Sequence, residues 1–574
     1  MSLIDKLRGD IIGGGAGIPG PFGTRPLIYA DFTASGRSLR SIENFIDDEI
    51  LPFYANPHSR QSFTGRQTGT LIEEAREIIA RSIGAGPFDA VLFCGTGATD
   101  AIAKLIALLD LKPGRASREL TDRDCPVVFI GPYEHHSNEL PWRECDIDLI
   151  VICEDAQGQP DLSWLEAHLR EIRPGRPIYG SFSAASNVTG IRTPIDEICR
   201  MLHAYGGLAF WDFAAAGPYD AIDMSVGPDS ATWKDAVFIS PHKFLGGPDT
   251  PGVLAVKRSI VRRCVPCKPG GGTVQYVTPF DHVYYDELER REEGGTPASI
   301  AAMRAALAFT VKAAVGVEQI RAIEDRLVER ALSAWRDVPG ILVLGSGSQS
   351  RLAVFSLMIK AGRRFLHHAF VVQLLNDLFG IQVRGGLFCA GPYAHRLLGI
   401  NQSQSKQLFE VAGAHGVIAR PGWIRLNFHY LMSDEEADYI IAAVRFIAEH
   451  GQAFLPLYEF CMRTGRWRHR HYGDAPIRRL RDFEAMLTGR DFRPPCLEPA
   501  GEKPLQSYLE EADELVRRLP ALAEDGRTAV ELPSAIEAVR WFWIPADYCR
   551  DDLFSCSPME EAATPAQQFQ SALA

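Results

Sequence analysis

The sequence has no long hydrophobic run, and this excludes a membrane-spanning segment. The longest apolar stretches, such as Asp148 to Cys153, are far shorter than the roughly 20 residues that cross a bilayer. The first residues carry Asp5 and Asp10 and soon become glycine-rich, so we expect no secretory signal. Twelve cysteines among 574 residues are few and irregularly spaced, which favours reduced thiols in a cytoplasmic protein.

Positive charge is not in excess either. Sixty Lys and Arg residues against 72 Asp and Glu residues give a net charge of −12 at pH 7. We therefore predict no nucleic-acid partner and no membrane partner, because both bind through clustered positive charge. Cys264 and Cys267 have zinc-knuckle spacing, but no second pair follows, so we predict no metal site. A hydrophobic content of 46% and a charged content of 23% indicate a large folded protein, and we expect an enzyme.

Short apolar runs alternate with helical patterns through the first half of the chain. Runs of four to six nearly continuous apolar residues are typical of strands that are buried on both faces. With helices between them, they predict a parallel α/β sheet. The last two runs lie too close together for a helical crossover, so one strand near the end is expected to be antiparallel. The seven runs are Val91–Cys94, Val127–Ile130, Leu149–Cys153, Ile178–Ser183, Leu208–Trp211, Val237–Ser240 and Val253–Val256.

The pattern changes twice further along the chain. A helical region from Ser299 to about Trp335 is followed by a strand–helix set that ends near His450, which indicates a smaller α+β domain. Beyond Gly451 no clean motif is found. We predict an irregular N-terminal arm at 1–27, a large α/β domain at 28–300, a small α+β domain at 301–450 and a C-terminal extension of unassigned role at 451–574.

Polar residues follow several predicted strands, where open α/β sheets bind their ligands. Thr96, Gly97 and Ala98 open a helix after the first strand, and small residues there let backbone N–H groups approach a phosphate. The same turn could simply be a turn, and it lacks the Gly-Lys-Ser/Thr ending of a nucleotide loop. The other candidates are His135, Asn187, Asp212, Ser240, His242 and Lys243.

Each of these residues has an ordinary structural explanation as well. Asp212 could cap a helix, and Lys243 could be a solvated surface residue instead of an amine nucleophile. Together, however, they provide a phosphate cup, a ring to stack, a carboxylate and an amine. That set matches pyridoxal phosphate bound to a lysine, with an acid paired to its pyridinium nitrogen.

The order of the motifs and the residues within them resemble those of a known family. The chain resembles the class V aminotransferase-fold enzymes of fold-type I, in the cysteine desulfurase group, and within it the desulfurase domain of molybdenum cofactor sulfurases. The resemblance implies a pyridoxal-phosphate fold with a seven-stranded, mostly parallel sheet in the large domain. It extends from Tyr29 to about Val444 and rests on Tyr29-Ala30-Asp31, Asn56-Pro57-His58-Ser59, Glu134-His135-His136, Ser186-Asn187-Val188-Thr189-Gly190, Ser240-Pro241-His242-Lys243, Gly294-Gly295-Thr296-Pro297 and two stretches, 270–274 and 383–400.

The resemblance implies roles for individual residues around the cofactor. Lys243 would be the Schiff-base lysine, His135 would stack on the ring, and Asp212 would pair with the ring nitrogen. Asn187 would lie near the ring oxygen and the substrate. The phosphate would be surrounded by Thr96, Gly97, Ala98, Ser240 and His242.

It also implies a homodimer with shared active sites. Thr296 would reach the phosphate of the neighbouring subunit, and Arg425 would bind the substrate carboxylate through its guanidinium fork. One position departs from the family: Ala215 stands where a glutamine usually bonds the ring oxygen.

Cys389 decides between possible reactions. A desulfurase needs a thiolate that takes sulfur from cysteine as a persulfide, and Cys389 falls at the family's loop position, although a free cysteine can also be a small packed hydrophobe. We therefore predict a cysteine desulfurase that passes sulfur to an acceptor protein. The alternatives are an aminotransferase or a C–S or C–Se β-lyase on the same fold, and a catalytically inactive sulfur-relay or scaffold protein.

Overall fold

The structure is a computed structural model that describes residues 1–121, 123–224, 231–345, 350–473, 477, 479–488, 503–522, 532–547 and 565–573. The chain divides into two compact units whose segments alternate along the sequence. The first unit contains Met1–Ile12, Phe32–Asp325 and Gly345–Val354. The second unit contains Gly13–Asp31, Arg326–Leu344 and Phe355–Ala574. The domain boundaries predicted from the sequence differ from the limits of these two units, and they stay a prediction.

The first unit is built on a seven-stranded sheet. The strands are β1 Asp89–Cys94, β2 Val127–Ile130, β3 Asp148–Val151, β4 Ile178–Ser183, β5 Leu208–Asp212, β6 Ala236–Ile239 and β7 Gly252–Lys257. Their order in the sheet is β1-β7-β6-β5-β4-β2-β3, in which β7 runs antiparallel to β1 and β6 while the pairs from β6 to β3 are parallel. This confirms the predicted mostly parallel sheet and its single antiparallel strand.

Burial explains why these runs form strands. Every residue of β2, β4 and β6 is buried, as expected for a sheet that is covered on both faces. Helix Gly97–Leu108 packs its apolar face on β6 and β7. The other helices of this unit are Leu3–Asp10, Arg40–Phe45, Phe63–Ser82, Leu140–Arg143, Leu162–Glu171, Ile195–Ala204, Leu288–Glu292 and Ser299–Val315.

Two local predictions need correction. The N-terminal arm is not wholly irregular, because Ser2 and Asp5 form a capping box that starts helix Leu3–Asp10. The predicted helical region after Ser299 is two helices, since Gly316, with φ at +85°, ends the first before Val317–Trp335 begins.

The helices of the described residues bear on whether the chain could cross a membrane. No single helix there is long and apolar enough to cross a bilayer. By length and composition alone, the pair Ser299–Val315 and Val317–Trp335 would pass together, but it is bent by 75°.

The second unit contains a five-stranded sheet. The strands are β8 Ile341–Val343, β9 Val354–Ala361, β10 Arg364–Phe365, β11 Arg384–Gly386 and β12 Trp423–Asn427. Their order in the sheet is β8-β9-β12-β11, and β10 pairs with β9 outside that path. The end of helix Val317–Trp335 belongs to this unit. Its other helices are His368–Phe379, Gly391–Leu397, Gln402–His415, Asp434–His450, Asp482–Leu487, Leu505–Leu522, Ser534–Glu537 and Pro565–Leu573.

The described residues of the C-terminal extension pack onto this second sheet and its helices. Trp541 is fully buried and donates its indole N–H to the carbonyl of Ala419 at 3.2 Å. Trp467 donates to Nδ1 of His367 at 3.2 Å, and Trp543 donates to the carbonyl of Ala361 at 2.7 Å. Buried aromatic side chains whose polar atoms are satisfied stabilise a core strongly. The extension is therefore an integral part of the second unit.

We expect Trp541→Ala to lower the free energy of unfolding by roughly 3–5 kcal/mol, because it leaves a large cavity and removes one hydrogen bond. Phe483→Ala is the control, since that side chain is 58% exposed, and its effect should stay within about 0.5 kcal/mol. Urea unfolding followed by far-UV circular dichroism, which does not rely on tryptophan fluorescence, measures the free energy of unfolding of both variants. Equal unfolding curves for the two variants would contradict the integral role of the extension.

Candidate active site

The predicted site residues of the first unit meet at one edge of its sheet. Strands β2, β4, β5 and β6 are parallel, so their carboxyl ends lie along the same edge. His135 follows β2, Asn187 follows β4, Asp212 ends β5, and Lys243 comes shortly after β6. Ligands of open α/β sheets bind at this edge.

One side of the edge forms a cradle at the start of helix Gly97–Leu108. The hydroxyl of Ser240 accepts a hydrogen bond from the N–H of Ala98 at 2.9 Å. A Cβ added to Gly97, whose φ is +59°, would lie 2.9 Å from that hydroxyl and 3.6 Å from the ring of His242. Only glycine leaves this space open. Thr96 is exposed, and its N–H is bound by Asp100 at 2.7 Å.

His242 completes this side of the edge as a neutral ring. Burial, together with the positive charge of Lys243, lowers the pKa of His242 to about 4. Its carbonyl accepts a hydrogen bond from the N–H of Gly36 at 2.8 Å, which fixes the turn that carries the lysine. Lys243 ends this turn and is half-buried.

Asp212 is the buried acid of the site. It is 4% exposed, and its Oδ1 accepts the N–H of Ala214 at 2.7 Å. Burial raises the pKa of Asp212 above its usual 3.8, while the bond from Ala214 and the charge of Lys243 lower it. A carboxylate in this position is stabilised by a cationic partner.

His135 lies beside a second buried acid. Its Nδ1 accepts the N–H of Ser137 at 3.1 Å, so the neutral ring carries its proton on Nε2. Glu134 accepts hydrogen bonds from the N–H and hydroxyl of Ser183, at 2.9 and 2.7 Å, and from the amide of Asn138 at 2.6 Å. These bonds tie the loop of His135 to the end of β4. Glu134 stands beside His135 in the sequence, but nothing in its local pattern indicates this role.

Burial makes Glu134 sensitive to pH. Desolvation raises the pKa of Glu134 to about 7, despite three hydrogen bonds that favour its charged form. The negative charge of Asp212 raises this pKa further. The two acids therefore lie close enough to influence each other.

Asn187 and Ala215 occupy the same edge, as buried residues. Asn187 is 7% exposed, in a turn that the Ser186 hydroxyl holds by accepting the N–H groups of Val188 and Thr189. Ala215 is 7% exposed, three residues after Asp212, and its methyl group cannot donate a hydrogen bond.

Thr296 binds a different part of the first unit. Its hydroxyl accepts a hydrogen bond from the amide of Asn56 at 3.1 Å, and His58 contacts the carbonyl of Gly295 at 3.1 Å. Two motifs that are 240 residues apart in the sequence thus meet at an exposed position.

Arg425 and Cys389 belong to the second unit. Arg425 lies in β12, is 3% exposed, and donates to Asp31 at 3.0 Å. Its guanidinium lies 4.6 Å from the ring centre of Phe388, which also packs against Trp423 at 5.9 Å. Cys389 follows this buried ring and is exposed. Arg384 lies 3.9 Å from Asp31.

The residues of the first unit fit pyridoxal phosphate. The open cradle at Gly97 has the hydroxyl of Ser240 and the helix start that suit a phosphate. The buried carboxylate of Asp212 suits a protonated ring nitrogen, and the amine of Lys243 acts on it electrostatically. The donor set therefore matches an anionic group at one end and a cation at the other.

We expect Glu134→Gln to abolish a specific loss of stability with rising pH. The folded protein holds this proton up to about pH 7, whereas the usual pKa is 4.5, so stability is lost as pH rises between these values. Relative to the variant, wild-type protein should lose about 3 kcal/mol of unfolding free energy from pH 5 to pH 8. Glu74→Gln, at an exposed position, should leave the wild-type profile unchanged. If the free energy of unfolding changed with pH in the same way for Glu134→Gln and wild type, the raised pKa of Glu134 would be disproved.

Two known proteins are similar in sequence to this chain. The chain is 30% identical over 380 residues to a cysteine desulfurase from Dickeya dadantii, covering 65% of this chain and 85% of the relative. It is 28% identical over 371 residues to a probable cysteine desulfurase from Halalkalibacterium halodurans, covering 64% and 85%.

Solved structures support the same fold. A cysteine desulfurase from Thermococcus onnurineus matches with a TM-score of 0.63 at 22% identity, covering 78% of this chain and 98% of that one. One from Escherichia coli matches with a TM-score of 0.58 at 20% identity, covering 77% and 97%. The nearer resemblance to molybdenum cofactor sulfurases is not supported by these relatives and stays a prediction.

The family model described as aminotransferase class-V matches residues 28–440, which include every predicted site residue. The buried acid, the lysine after β6 and the open phosphate cradle all lie inside this match. The chain belongs to the aminotransferase class-V family, whose enzymes depend on pyridoxal phosphate.

Proposed function

We propose that this protein is a cysteine desulfurase that removes sulfur from L-cysteine and carries it as a persulfide on Cys389. The observation that carries the proposal is the exposed thiol of Cys389, which directly follows a buried phenylalanine seated beside Arg425. The names of the relatives reported above support the same substrate.

The residues that would hold the cofactor follow from the site. Ser240, His242 and the start of helix Gly97–Leu108 would bind the phosphate, with Thr96 and Ala98 beside them. Asp212 would pair with the ring nitrogen, His135 would stack on the ring, and Asn187 would lie near the ring oxygen. When bound, pyridoxal phosphate supplies an electron sink for the carbon next to the substrate amine.

Lys243 and Cys389 carry the chemical steps in this proposal. The amine of Lys243 removes the proton from the substrate α-carbon as a general base. The thiolate of Cys389 attacks the substrate sulfur, so that an S–S bond forms and the Cβ–S bond breaks. The electron pair of that bond stays on Cβ, which takes a proton, and the amine of Lys243 returns its proton to the α-carbon to give alanine. The sulfur is oxidised to the sulfane level and the carbon is reduced, so no external redox partner is needed.

Arg425 is the proposed binding group for the substrate carboxylate. Its guanidinium is buried and already bonded to Asp31, so its position is fixed before substrate arrives. A fixed planar fork binds a carboxylate at low entropic cost. Asp31 therefore acts as the residue that orients Arg425. Asn187 would also contact the substrate.

We also propose a homodimer with shared active sites. The hairpin Val274–Val277/His282–Tyr284 exposes apolar side chains, among them Phe280 at 96% and Tyr276 at 70%. Exposed apolar clusters mark interaction surfaces. Thr296, held by Asn56, would serve the phosphate of the second copy.

The proposed compartment is the cytoplasm, with a sulfur-acceptor protein as partner. The nine cysteines among the described residues are all free thiols. Free thiols, including the exposed Cys389, persist in reducing compartments.

We expect Cys389→Ser to reduce sulfur release from cysteine by at least about 100-fold, because the sulfur acceptor is removed. Lys243→Ala should abolish every product, and Cys461→Ser, at another exposed cysteine, should behave as wild type. Alanine, pyruvate and keto acid are quantified, with persulfide located by mass spectrometry. Undiminished alanine and sulfide from Cys389→Ser would refute the desulfurase mechanism. Pyruvate with ammonia as products would favour a β-lyase, and a keto acid would favour an aminotransferase. Wild-type protein without any turnover would favour a sulfur-relay protein.

We expect Phe280→Asp to weaken the dimer at least about tenfold, because a charge replaces an apolar contact in the interface. Phe88→Asp is the control, since that ring is 80% exposed but lies outside the hairpin. Analytical ultracentrifugation measures both dissociation constants. Equal constants for wild type and Phe280→Asp would remove the hairpin from the interface.

A further inference from the structure

The backbone at the reactive cysteine is strained. Phe388 and Cys389 both have φ at +54°, a left-handed conformation that residues with a side chain rarely adopt. Two consecutive residues in this region persist only where their neighbours hold them in place. The contacts at each end of this segment therefore decide the position of the thiol.

The first end is held by the sheet of the second unit. Strand β11 pairs with β12, Arg384 opposite Arg425 and Gly386 opposite Trp423. A Cβ added to Gly385 would lie 2.9 Å from Nδ1 of the half-buried His368, so this glycine permits close packing. The buried ring of Phe388 then anchors the chain one residue before Cys389.

The second end is a short helix, Gly391–Leu397, which we call the post-cysteine helix. It begins two residues after Cys389, and the carbonyl groups at a helix end require hydrogen-bond donors. Nε2 of Gln570 donates to the carbonyl of Leu398 and to that of Gly399, both at 3.0 Å. Oε1 of Gln570 accepts a hydrogen bond from the amide of Gln404 at 2.6 Å. A single side chain thus connects the end of the post-cysteine helix to a distant part of the sequence.

Gln570 lies in the C-terminal helix, Pro565–Leu573, which is itself firmly seated. Phe569 is fully buried, with its ring centre 5.8 Å from that of Trp541 and 6.2 Å from that of Phe365. A Cβ added to Gly399, whose φ is +63°, would lie 3.2 Å from Cβ of Ala566, so the helix packs directly on this turn. The helix lies beyond the residues 28–440 that match the family model.

We propose that Gln570 is a positioning residue for Cys389. By binding the carbonyls of Leu398 and Gly399, it fixes the post-cysteine helix and so maintains the strained backbone that presents the thiol. The inference rests on the proposed sulfur-carrying role of Cys389. It assigns to the C-terminal extension a part in the reaction, in addition to its part in stability.

Gln570→Glu tests this role because it keeps the shape of the side chain and removes the donor. We expect backbone hydrogen exchange of residues 390–400 to accelerate about tenfold or more, since two hydrogen bonds are lost. We expect single-turnover persulfide formation on Cys389 to slow about tenfold, with KM for cysteine unchanged within about twofold, because a misplaced nucleophile affects the chemical step. Ser571→Asp, which adds the same charge at an exposed position in the same helix, is the matched control and should equal wild type.

Two further variants keep the test decisive. Gln570→Lys retains a donor and should restore most of the persulfide rate. Ala566→Leu crowds Gly399 from the other side and should reproduce the defect if Gln570→Glu fails to fold. Unchanged exchange in Gln570→Glu would overturn the proposal, as would faster exchange with a normal persulfide rate or a rise in KM alone. If Cys389→Ser keeps full sulfur release, the proposed function fails, while the exchange experiment still reports whether Gln570 holds the segment.

Discussion

The buried carboxylate of Asp212 is the constraint on which the site of the first unit depends. An ionised group that is 4% exposed is costly unless positive charge compensates it, and the single backbone bond from Ala214 does not supply a charge. The parallel strands bring Lys243 within electrostatic range, and a protonated pyridine ring would add the second cation. The site is therefore prepared for a cationic ring before any substrate binds.

A comparable constraint acts at the cysteine of the second unit. There the backbone, not a charge, is held in an unfavourable state, because Phe388 and Cys389 both adopt a left-handed conformation. On one side, the Phe388 ring packs against Trp423 and Arg425. On the other side, the C-terminal helix packs on the turn at Gly399. Packing at both ends holds this segment in place.

The strands of the first unit could be predicted from sequence because burial on both faces leaves an almost continuous apolar run. Val127–Ile130 and Ile178–Ser183 have the same bounds in the sequence analysis and in the structure. The site residues after these strands could be found for the same reason, since strand direction places them at one edge. Gly316 escaped prediction because its neighbours on both sides form helices, and only its φ of +85° reveals the break.

Residues whose role depends on distant partners could not be predicted. Glu134 is an ordinary acid in the sequence, and its pKa is raised by burial, although the hydrogen bonds from Ser183 and Asn138 lower it. Gln570 is one glutamine in an Ala- and Gln-rich helix, and nothing local indicates that its amide reaches Leu398.

The tryptophans of the extension show why packing joins distant parts of the second unit. Trp541 is fully buried, bonds Ala419 and contacts Phe569, which anchors the C-terminal helix. Because the same helix binds the turn after the post-cysteine helix, loosening the aromatic core should also loosen the cysteine segment. Stability of the extension and position of the thiol are then two consequences of one packed cluster. Substitutions at Trp541 and Gln570 should therefore be non-additive in their effect on hydrogen exchange of residues 390–400, whereas independent sites would give additive effects.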